Sequence, residues 1–367
     1  GGVIVEETYL MWLARVTLHN TKKAFQLLGR FGTAENVFYA EPEEIRSALG
    51  NATKLADTIL SQRDPEMLDE WMIELEEKEI SFYSYFHPSY PYLLKQIYDP
   101  PLGIYVKGVL PDDHIDKIGV IGARRCSQYG ASVAYRITKD LGQTNVIVVS
   151  GMAKGIDAVA HKGIMDGGGK TIAVLGCGVD VCYPAENREL MERIIENGCV
   201  LSEYPPGTKA VPYHFPYRNR IISGLSKLIV VIEAGKRSGT LITADLALEN
   251  GRDVFVLPGN VTSKLSEGTN NLIKQGCPII TESGDILEEL GISYQEKEKT
   301  RFYEKVEEKL TPEEREIYEK ITEATPVTAE ELSRMLDKPI QDIQYVLSLL
   351  EITGYIRKLQ QAGYVRS

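Results

Sequence analysis

The stretch Ile118-Gly119-Val120-Ile121-Gly122-Ala123-Arg124-Arg125-Cys126-Ser127 decides the fold class. It is a short apolar run followed by a glycine turn and by residues that can begin a helix. The same order repeats along the chain, with apolar runs at 118–121, 146–149, 172–175, 200–201, 228–232, 254–257 and 279–280. Uninterrupted Val/Ile strands that alternate with helical segments predict an α/β fold with a parallel sheet covered by helices on both faces.

The regions on either side of this alternation have different patterns. Residues 1–81 predict short helices, in an order that resembles helix-hairpin-helix modules. Four glutamates, at positions 35, 41, 43 and 44, favour packing or protein contact over DNA binding there. Residues 291–304 are charged and poor in large aliphatic side chains, which is typical of a linker. We therefore predict an N-terminal helical domain (1–81), a sheet domain (82–290), this linker, and a C-terminal domain (305–367).

The C-terminal domain is predicted to be winged-helix-like. Helices are expected near 312–322, 328–336 and 339–352, with a small hairpin over 355–366. A recognition helix that tracks phosphates should be basic, but residues 338–346 contain one lysine and one aspartate. Protein contact or regulation of a dimer is the preferred role for this domain.

Composition limits the class of protein. The chain has 367 residues, of which 43% are hydrophobic and 25% charged, as in soluble globular proteins. No apolar run approaches the roughly 20 residues of a membrane helix. Five scattered cysteines form no CxxC pair, so the sequence supports neither a disulfide framework nor a zinc site, and a reducing cytoplasm fits best. We expect no metal and no membrane partner.

Charge is unevenly distributed. The net charge is −11, yet residues 119–260 carry 16 Lys/Arg against 13 Asp/Glu, whereas residues 1–118 carry 11 against 19. The middle of the chain is the only region with a positive balance, so a site for a polyanion is expected there.

Two arginines stand out in Phe215-Pro216-Tyr217-Arg218-Asn219-Arg220-Ile221-Ile222-Ser223-Gly224-Leu225-Ser226. They directly precede an apolar run that a helix would bury, which places them near the start of that helix. Free N–H groups at a helix start favour an anion and oppose cations, so a bound phosphate would resolve the conflict. Alternatively, one or both arginines pair with acidic neighbours.

Glycine turns with cations or hydroxyls follow several predicted strands. Since carboxyl ends of parallel strands meet at one edge of a sheet, these residues should form a phosphate cradle, although glycines also simply close such turns. Phe215 or Tyr217 could stack on a base, or both could pack at the helix start. The predicted nucleic-acid-binding residues are Arg124, Ser127, Ser150, Gly151, Lys154, Gly155, Phe215, Arg218, Arg220, Lys236, Ser238, Gly239 and Thr240.

Two nucleotide-binding motifs fail on inspection. Gly167-Gly168-Gly169-Lys170-Thr171 looks like a phosphate-binding loop, but Ile164 stands where that pattern needs glycine, and the lysine opens a strand. No GxGxxG follows the first strand. The sequence therefore predicts no cofactor.

Four linked motifs give a specific resemblance. They are Ser150-Gly151-x-Ala153-x-Gly155-Ile156-Asp157, the segment from Phe215 to Leu225, Ser238-Gly239-Thr240-Leu241-x-Thr243-Ala244, and Leu257-Pro258-Gly259. Together they resemble the DNA processing protein A family (DprA, also called Smf). The resemblance implies an extended Rossmann-like domain that binds single-stranded DNA, a homodimer, and loading of the RecA recombinase on incoming DNA during natural transformation. Apolar Leu272 and Ile273, on a late helix, are candidates for the dimer interface.

The competing hypothesis is a nucleotide-binding or nucleotide-cleaving enzyme. Hydrolases of the lysine-decarboxylase-like type share this sheet architecture. At the equivalent loop they carry a motif similar to Gly-Gly-x-Gly-Thr-x-x-Glu, in which the glutamate is catalytic. Here Thr243 occupies the place of that glutamate. His161 and His214 are isolated and are expected to be structural, and Asp157 is expected to cap or orient its loop. We therefore predict a binding protein with no catalytic residues.

Overall fold

The computed structural model describes residues 2–292, 310–322, 326–359 and 363–366. Contacts divide the chain into two compact units, Gly1–Gly291 and Ile292–Ser367. From residue 293 onward, the predicted linker lies outside the described residues, as do residues 305–309 of the predicted C-terminal domain. The predicted boundary between residues 81 and 82 stays a prediction.

The first unit begins with six helices, as the sequence predicts for this region. They are α1 (Gly2–Val16), α2 (Thr21–Phe31), α3 (Ala34–Tyr39), α4 (Pro42–Leu49), α5 (Thr53–Ser61) and α6 (Pro65–Glu77). Prolines stand in the first turns of α4 and α6, where the missing N–H would have no helical partner. The Asp64 side chain caps α6 by accepting a hydrogen bond from the N–H of Glu66. The apolar faces of these helices enclose a core around Trp12 and Leu27.

An eight-stranded sheet follows. Its strands are β1 (Ile80–Ser84), β2 (Gly103–Gly108), β3 (Lys117–Ile121), β4 (Ile147–Ser150), β5 (Thr171–Val174), β6 (Cys199–Ser202), β7 (Leu228–Val231) and β8 (Asp253–Val256). Their order across the sheet is β1-β2-β6-β5-β4-β3-β7-β8. Strands β3 to β8 are parallel, as predicted, whereas β1 and β2 are antiparallel and extend the sheet beyond β6. Each residue of β3, β4, β5, β6 and β7 is buried, because helices cover both faces.

The sheet region also contains helices, most of which alternate with the parallel strands as predicted. They are α7 (Tyr92–Lys95), α8 (Gln128–Leu141), α9 (Ile156–Asp166), α10 (Arg188–Asn197), α11 (His214–Leu225), α12 (Gly239–Glu249), α13 (Glu267–Lys274) and α14 (Ser283–Glu289). The apolar pair at 279–280, predicted as a strand, makes only one isolated bridge, between Val256 and Ile279. The fold is Rossmann-like.

The strand order places a topological switch between β3 and β7. From β3 the chain proceeds through β4, β5 and β6 on one side, then returns past β3 to form β7 and β8 on the other. The connections that leave β3 and enter β7 therefore diverge at the carboxyl ends of these strands. Open α/β sheets bind ligands in the crevice formed at such a point.

The second unit has the helix and hairpin order of a winged helix. It contains α15 (Pro312–Tyr318), α16 (Ala329–Leu336), α17 (Ile340–Ile352) and an antiparallel hairpin of β9 (Ile356–Leu359) and β10 (Gly363–Arg366). Thr311 and Thr328 cap α15 and α16, each in a capping box with a glutamate three residues later. Leu332, Leu347 and Ile356 belong to its own apolar core.

Candidate nucleic-acid interface

A cavity of about 450 Å³ opens at the switch point. Its wall combines the turn after β3, the start of α12 and one side of α11. Of the predicted binding residues, the structure brings six to this cavity: Arg124, Phe215, Arg218, Ser238, Gly239 and Thr240. The prediction that these residues meet at the carboxyl ends of the strands therefore holds for about half of the predicted set.

Arg124 is the exposed cation of this group. It leaves the end of β3, and its guanidinium carbon lies 5.4 Å from the ring centroid of Phe215. Arg125, also exposed, lines the same cavity. Within the described residues, neither arginine forms an ion pair. The rim thus presents two uncompensated positive charges beside an aromatic ring.

The start of α12 forms the opposite side. The Ser238 hydroxyl accepts a hydrogen bond from the N–H of Thr240 at 3.1 Å and so caps the helix. A Cβ on Gly239 would have no heavy atom within 4 Å, so packing does not require glycine at this position. Lys236 and Arg237 are exposed in the preceding loop, although neither lines the cavity. The partial positive charge of the helix start and these cations favour an anion here.

Arg218 lies in the wall rather than on the rim. Helix α11 begins at His214, so Arg218 is its fifth residue and follows the first turn, which carries the free N–H groups of the helix start. The side chain is 4% exposed, and its Nη1 donates hydrogen bonds to the carbonyls of Val174 and Gly151, the latter at 2.8 Å. Burial lowers the pKa of Arg218, although Asp157 opposes that shift. Its Nη2 has no hydrogen-bond partner among the described residues.

Gly151 gives the Arg218 guanidinium room to pack against the turn after β4. A Cβ at this glycine would lie 2.5 Å from Nη1 of Arg218, so a side chain would displace the guanidinium. The Gly151 N–H donates to Oδ2 of Asp157 at 3.1 Å. Burial raises the pKa of Asp157, while Arg218 and the hydrogen bonds to the carboxylate act in the opposite direction. Asp157 therefore orients the turn after β4, as expected.

Arg220 belongs to the core of the first unit. Its side chain is 8% exposed and forms a bidentate pair with Glu203, whose side chain is 4% exposed. Both Nη1–Oε1 and Nη2–Oε2 distances are 2.7 Å. In addition, Nε donates to the carbonyl of Asp99 and Nη1 to the carbonyl of Tyr217. The alternative that an arginine of this segment pairs with an acidic neighbour is realised at Arg220, which does not line the cavity.

The other predicted residues are occupied elsewhere. Lys154 pairs with Glu186 at 2.6 Å, and the buried Ser150 hydroxyl donates to the carbonyl of Val120. Gly155, with φ of 75°, packs against the backbone after β3, so its role is to close the turn. Ser127 bonds to Glu233 and lines a neighbouring cavity.

The proposed dimer residues differ in accessibility. Leu272 is 4% exposed and belongs to the core of the sheet region, so it offers almost no surface to a second copy. Ile273 is half-buried and packs against that core.

Sequence reasoning did not select Arg125 or Asn219, both of which line the cavity. The signal for each was local: Arg125 directly follows Arg124, and Asn219 stands between two arginines. In the described part of the chain, no cluster of three His, Cys, Asp or Glu side chains could hold a metal ion. None of the described helices combines the length and apolar character that a bilayer span requires.

Comparison with known families identifies the chain. A family model described as DNA recombination-mediator protein A matches residues 81–291, and one described as the DprA winged helix domain matches residues 304–361. The chain belongs to the DNA recombination-mediator protein A family. Both matches fall on the regions in which the structure shows a Rossmann-like sheet and a winged helix, so the resemblance inferred from the four motifs is confirmed.

Relatives of this DprA/Smf family cover most of the chain. The chain is 42% identical over 222 residues to DNA processing protein DprA of Streptococcus pneumoniae. This alignment covers 60% of the chain and 78% of that protein. It is 37% identical over 282 residues to protein Smf of Escherichia coli, covering 76% and 75% respectively.

Two solved DprA structures are also similar. The S. pneumoniae DprA structure matches with a TM-score of 0.67 and 34% identity, over 78% of this chain and 99% of that one. A Helicobacter pylori DprA structure, described as showing a single-stranded DNA binding mode, matches with a TM-score of 0.53 and 28% identity over 59% and 98%.

Proposed function

We propose that this chain binds single-stranded DNA at the switch-point cavity, with phosphates on the Arg124 side and a base against Phe215. The observation that carries the proposal is the exposed, unpaired Arg124 beside the Phe215 ring. A cation next to an aromatic ring is the combination that single-strand binders use, because phosphate contacts give affinity and stacking accepts any base. The family membership and the H. pylori relative support the same ligand.

The two cations of the site have different roles in this proposal. Arg124 is exposed and available to a phosphate, whereas Arg218 is held by two backbone carbonyls and keeps only Nη2 for a ligand. Lys236 and Arg237 attract the strand from the loop before α12. Arg220 acts through the fold alone, because it is buried outside the cavity, where Nε, Nη1 and Nη2 already bond to Glu203 and to backbone carbonyls.

Membership of the family supports a proposal for the biological role. We propose that the chain protects incoming single-stranded DNA in the cytoplasm and loads RecA on it during natural transformation or homologous recombination. It acts as a homodimer, which light scattering tests by a mass of twice 41.0 kDa. A 41.0 kDa species at micromolar concentration would count against the dimer.

We also propose that the protein is not an enzyme. The carboxylate that lines the described cavity, Asp157, is 7% exposed and accepts a hydrogen bond from the Gly151 N–H. Thr243, at the position of the glutamate in the hydrolases, is 2% exposed. Purified protein should therefore release no base, sugar or phosphate from nucleoside monophosphates. Turnover that is lost in an Asp157→Asn variant would favour the hydrolase.

The direct test compares oligonucleotides over a series of salt concentrations. We expect single-stranded DNA to bind more tightly than duplex of the same length. Arg124→Ala should weaken binding by about 1.5–3 kcal/mol and reduce the log–log salt slope by about 0.7. Arg46→Ala is the matched control, because Arg46 is exposed and pairs with Asp57 on the helical region. Equal or tighter duplex binding, or equal effects of both substitutions, would refute the proposal.

A further inference from the structure

A second cavity, of about 430 Å³, adjoins the first. Ser127 and Tyr129 at the start of α8 form one wall, and the loop after β8 forms the other. Residues close together in the chain line both cavities, which are therefore neighbours. Arg125 and Leu265 line the first cavity, and Ser127 and Ser266 line the second. The volume is within the roughly 300–1,000 Å³ of small-molecule sites.

The loop after β8 presents hydrogen-bond donors without partners. Oδ1 of Asn260 accepts from the N–H and the hydroxyl of Thr262, at 3.0 and 2.9 Å, and Nδ2 has no hydrogen-bond partner among the described residues. Ser266 is 5% exposed and lines the cavity, and its hydroxyl has no partner among the described residues. This hydroxyl can therefore donate a hydrogen bond to an acceptor atom of a ligand in the cavity.

The loop that carries these donors is held in place. The Asn270 side chain bonds to both the N–H and the carbonyl of Gly259, at 3.3 and 3.1 Å. A Cβ on Gly259 would collide with Oγ of Ser266, so glycine is needed for this close approach. The donors therefore have fixed positions before any ligand arrives.

The chemistry of the wall excludes a phosphate as the occupant. Lysine and arginine are absent from its described lining, and its one charged group is the carboxylate of Glu233. That carboxylate is 3% exposed and accepts hydrogen bonds from the N–H and hydroxyl of Ser127. Tyr129 donates to the carbonyl of Pro258 at 3.0 Å, so its ring and the proline border the cavity. A flat, uncharged heterocycle with acceptor atoms fits such a wall.

We propose that this second cavity is a nucleobase subsite of the DNA site, which rests on the proposed function. A strand whose phosphates lie on the Arg124 and Arg125 rim would place a neighbouring base between Tyr129 and the loop. Nδ2 of Asn260 and the Ser266 hydroxyl donate to base carbonyls, which thymine, cytosine and guanine carry and adenine lacks. The subsite gives a preference for carbonyl-bearing bases at one position of a strand that is otherwise bound through its backbone.

The test combines protein variants with removal of the bases. The probes are hexathymidylate, hexaadenylate and a hexamer of abasic deoxyribose phosphates, measured by competition against a labelled strand. Asn260→Ala should weaken hexathymidylate binding about three- to tenfold and leave binding of the abasic hexamer unchanged. Ser266→Ala should do the same, and no helix cap is lost, because the Ser266 side chain makes no capping bond. Asn271→Ala, an exposed asparagine on α13, is the matched control.

The outcomes separate the subsite from the DNA site itself. If both cavity variants weaken the thymidylate and abasic hexamers equally, or weaken neither, the nucleobase subsite is wrong while the DNA site stands. Wild-type protein that binds hexaadenylate as tightly as hexathymidylate would also refute it. If the wild type binds no hexamer and no longer single strand, the proposed function fails, and the subsite with it.

Discussion

Replacing Arg220 by alanine should destabilise the first unit without changing how its folded form contacts phosphate. The substitution leaves Glu203 buried and unpaired, and it also removes the partners of two backbone carbonyls. Burial opposes the charge on Arg220, but the Glu203 carboxylate outweighs burial and raises the pKa of Arg220. Removing one partner of a buried pair typically costs about 3–5 kcal/mol, against a total free energy of unfolding of about 5–15 kcal/mol.

Urea unfolding followed by tryptophan fluorescence measures this loss in the correct unit. The chain has two tryptophans, Trp12 and Trp71, and both lie in the first unit. Arg193→Ala is the control, because Arg193 pairs with Asp166 at 2.8 Å with side chains 40% and 35% exposed. A pair on the surface contributes about 0–1 kcal/mol, so the control should unfold almost like the wild type.

A second substitution tests the cause of the loss. Adding Glu203→Gln to Arg220→Ala removes the unpaired buried charge and should restore part of the free energy of unfolding. The reasoning is refuted if Arg220→Ala is as stable as the Arg193→Ala control yet loses DNA affinity and salt dependence. That result would make Arg220 a phosphate ligand, as the sequence first suggested.

Three further predictions concern the buried ring of His161, the half-buried ring of Phe215 and the glycine beside Arg218. Burial, assisted by the Arg218 cation, lowers the pKa of His161 from 6.5 to about 3. Below pH 6.5 the unfolded chain therefore binds a proton at His161 that the folded protein excludes. The free energy of unfolding should fall by about 1.4 kcal/mol per pH unit from pH 6.5 toward pH 3. His161→Leu should remove this contribution to the slope. Phe215→Ala should weaken single-stranded DNA binding by about 1–3 kcal/mol, measured by anisotropy, whereas Phe215→Tyr should retain most of it. Gly151→Ala should displace the Arg218 guanidinium and lower the free energy of unfolding by about 1–3 kcal/mol. The control Gly29→Ala, at a helical position with open space around it, should raise the free energy of unfolding by about 1 kcal/mol.

Each of these predictions has a result that would contradict it. An acid slope that is unchanged in His161→Leu would contradict the first prediction. Equal affinity of the alanine and tyrosine variants at Phe215 would exclude stacking there. Gly151→Ala with wild-type stability would show that Arg218 relocates without cost.

Much of the fold was predictable because burial leaves a periodic trace in sequence. Strands covered on both faces read as uninterrupted apolar runs, so β3, β4, β5 and β7 were placed to within a residue or two. The run at 279–280 was too short for this signal and forms a single bridge instead of a strand. The antiparallel pairing of β2 with β6 depends on partners 91 or more residues apart along the chain, and no local pattern reports it.

The sequence by itself determined the alternation of strands and helices, the glycine turns at one sheet edge, and the family. Only the tertiary structure decided what each arginine does. Arg124, Arg218 and Arg220 carry the same charge but have different surroundings. Arg124 projects from the end of β3, and Arg218 is held by carbonyls at the ends of β4 and β5. Arg220 pairs with Glu203. The partner of each guanidinium is the acceptor that the fold places beside it, and packing between segments distant in the chain determines which acceptor that is. Local sequence therefore predicted where the cations gather, and the fold selected which of them remain free for DNA.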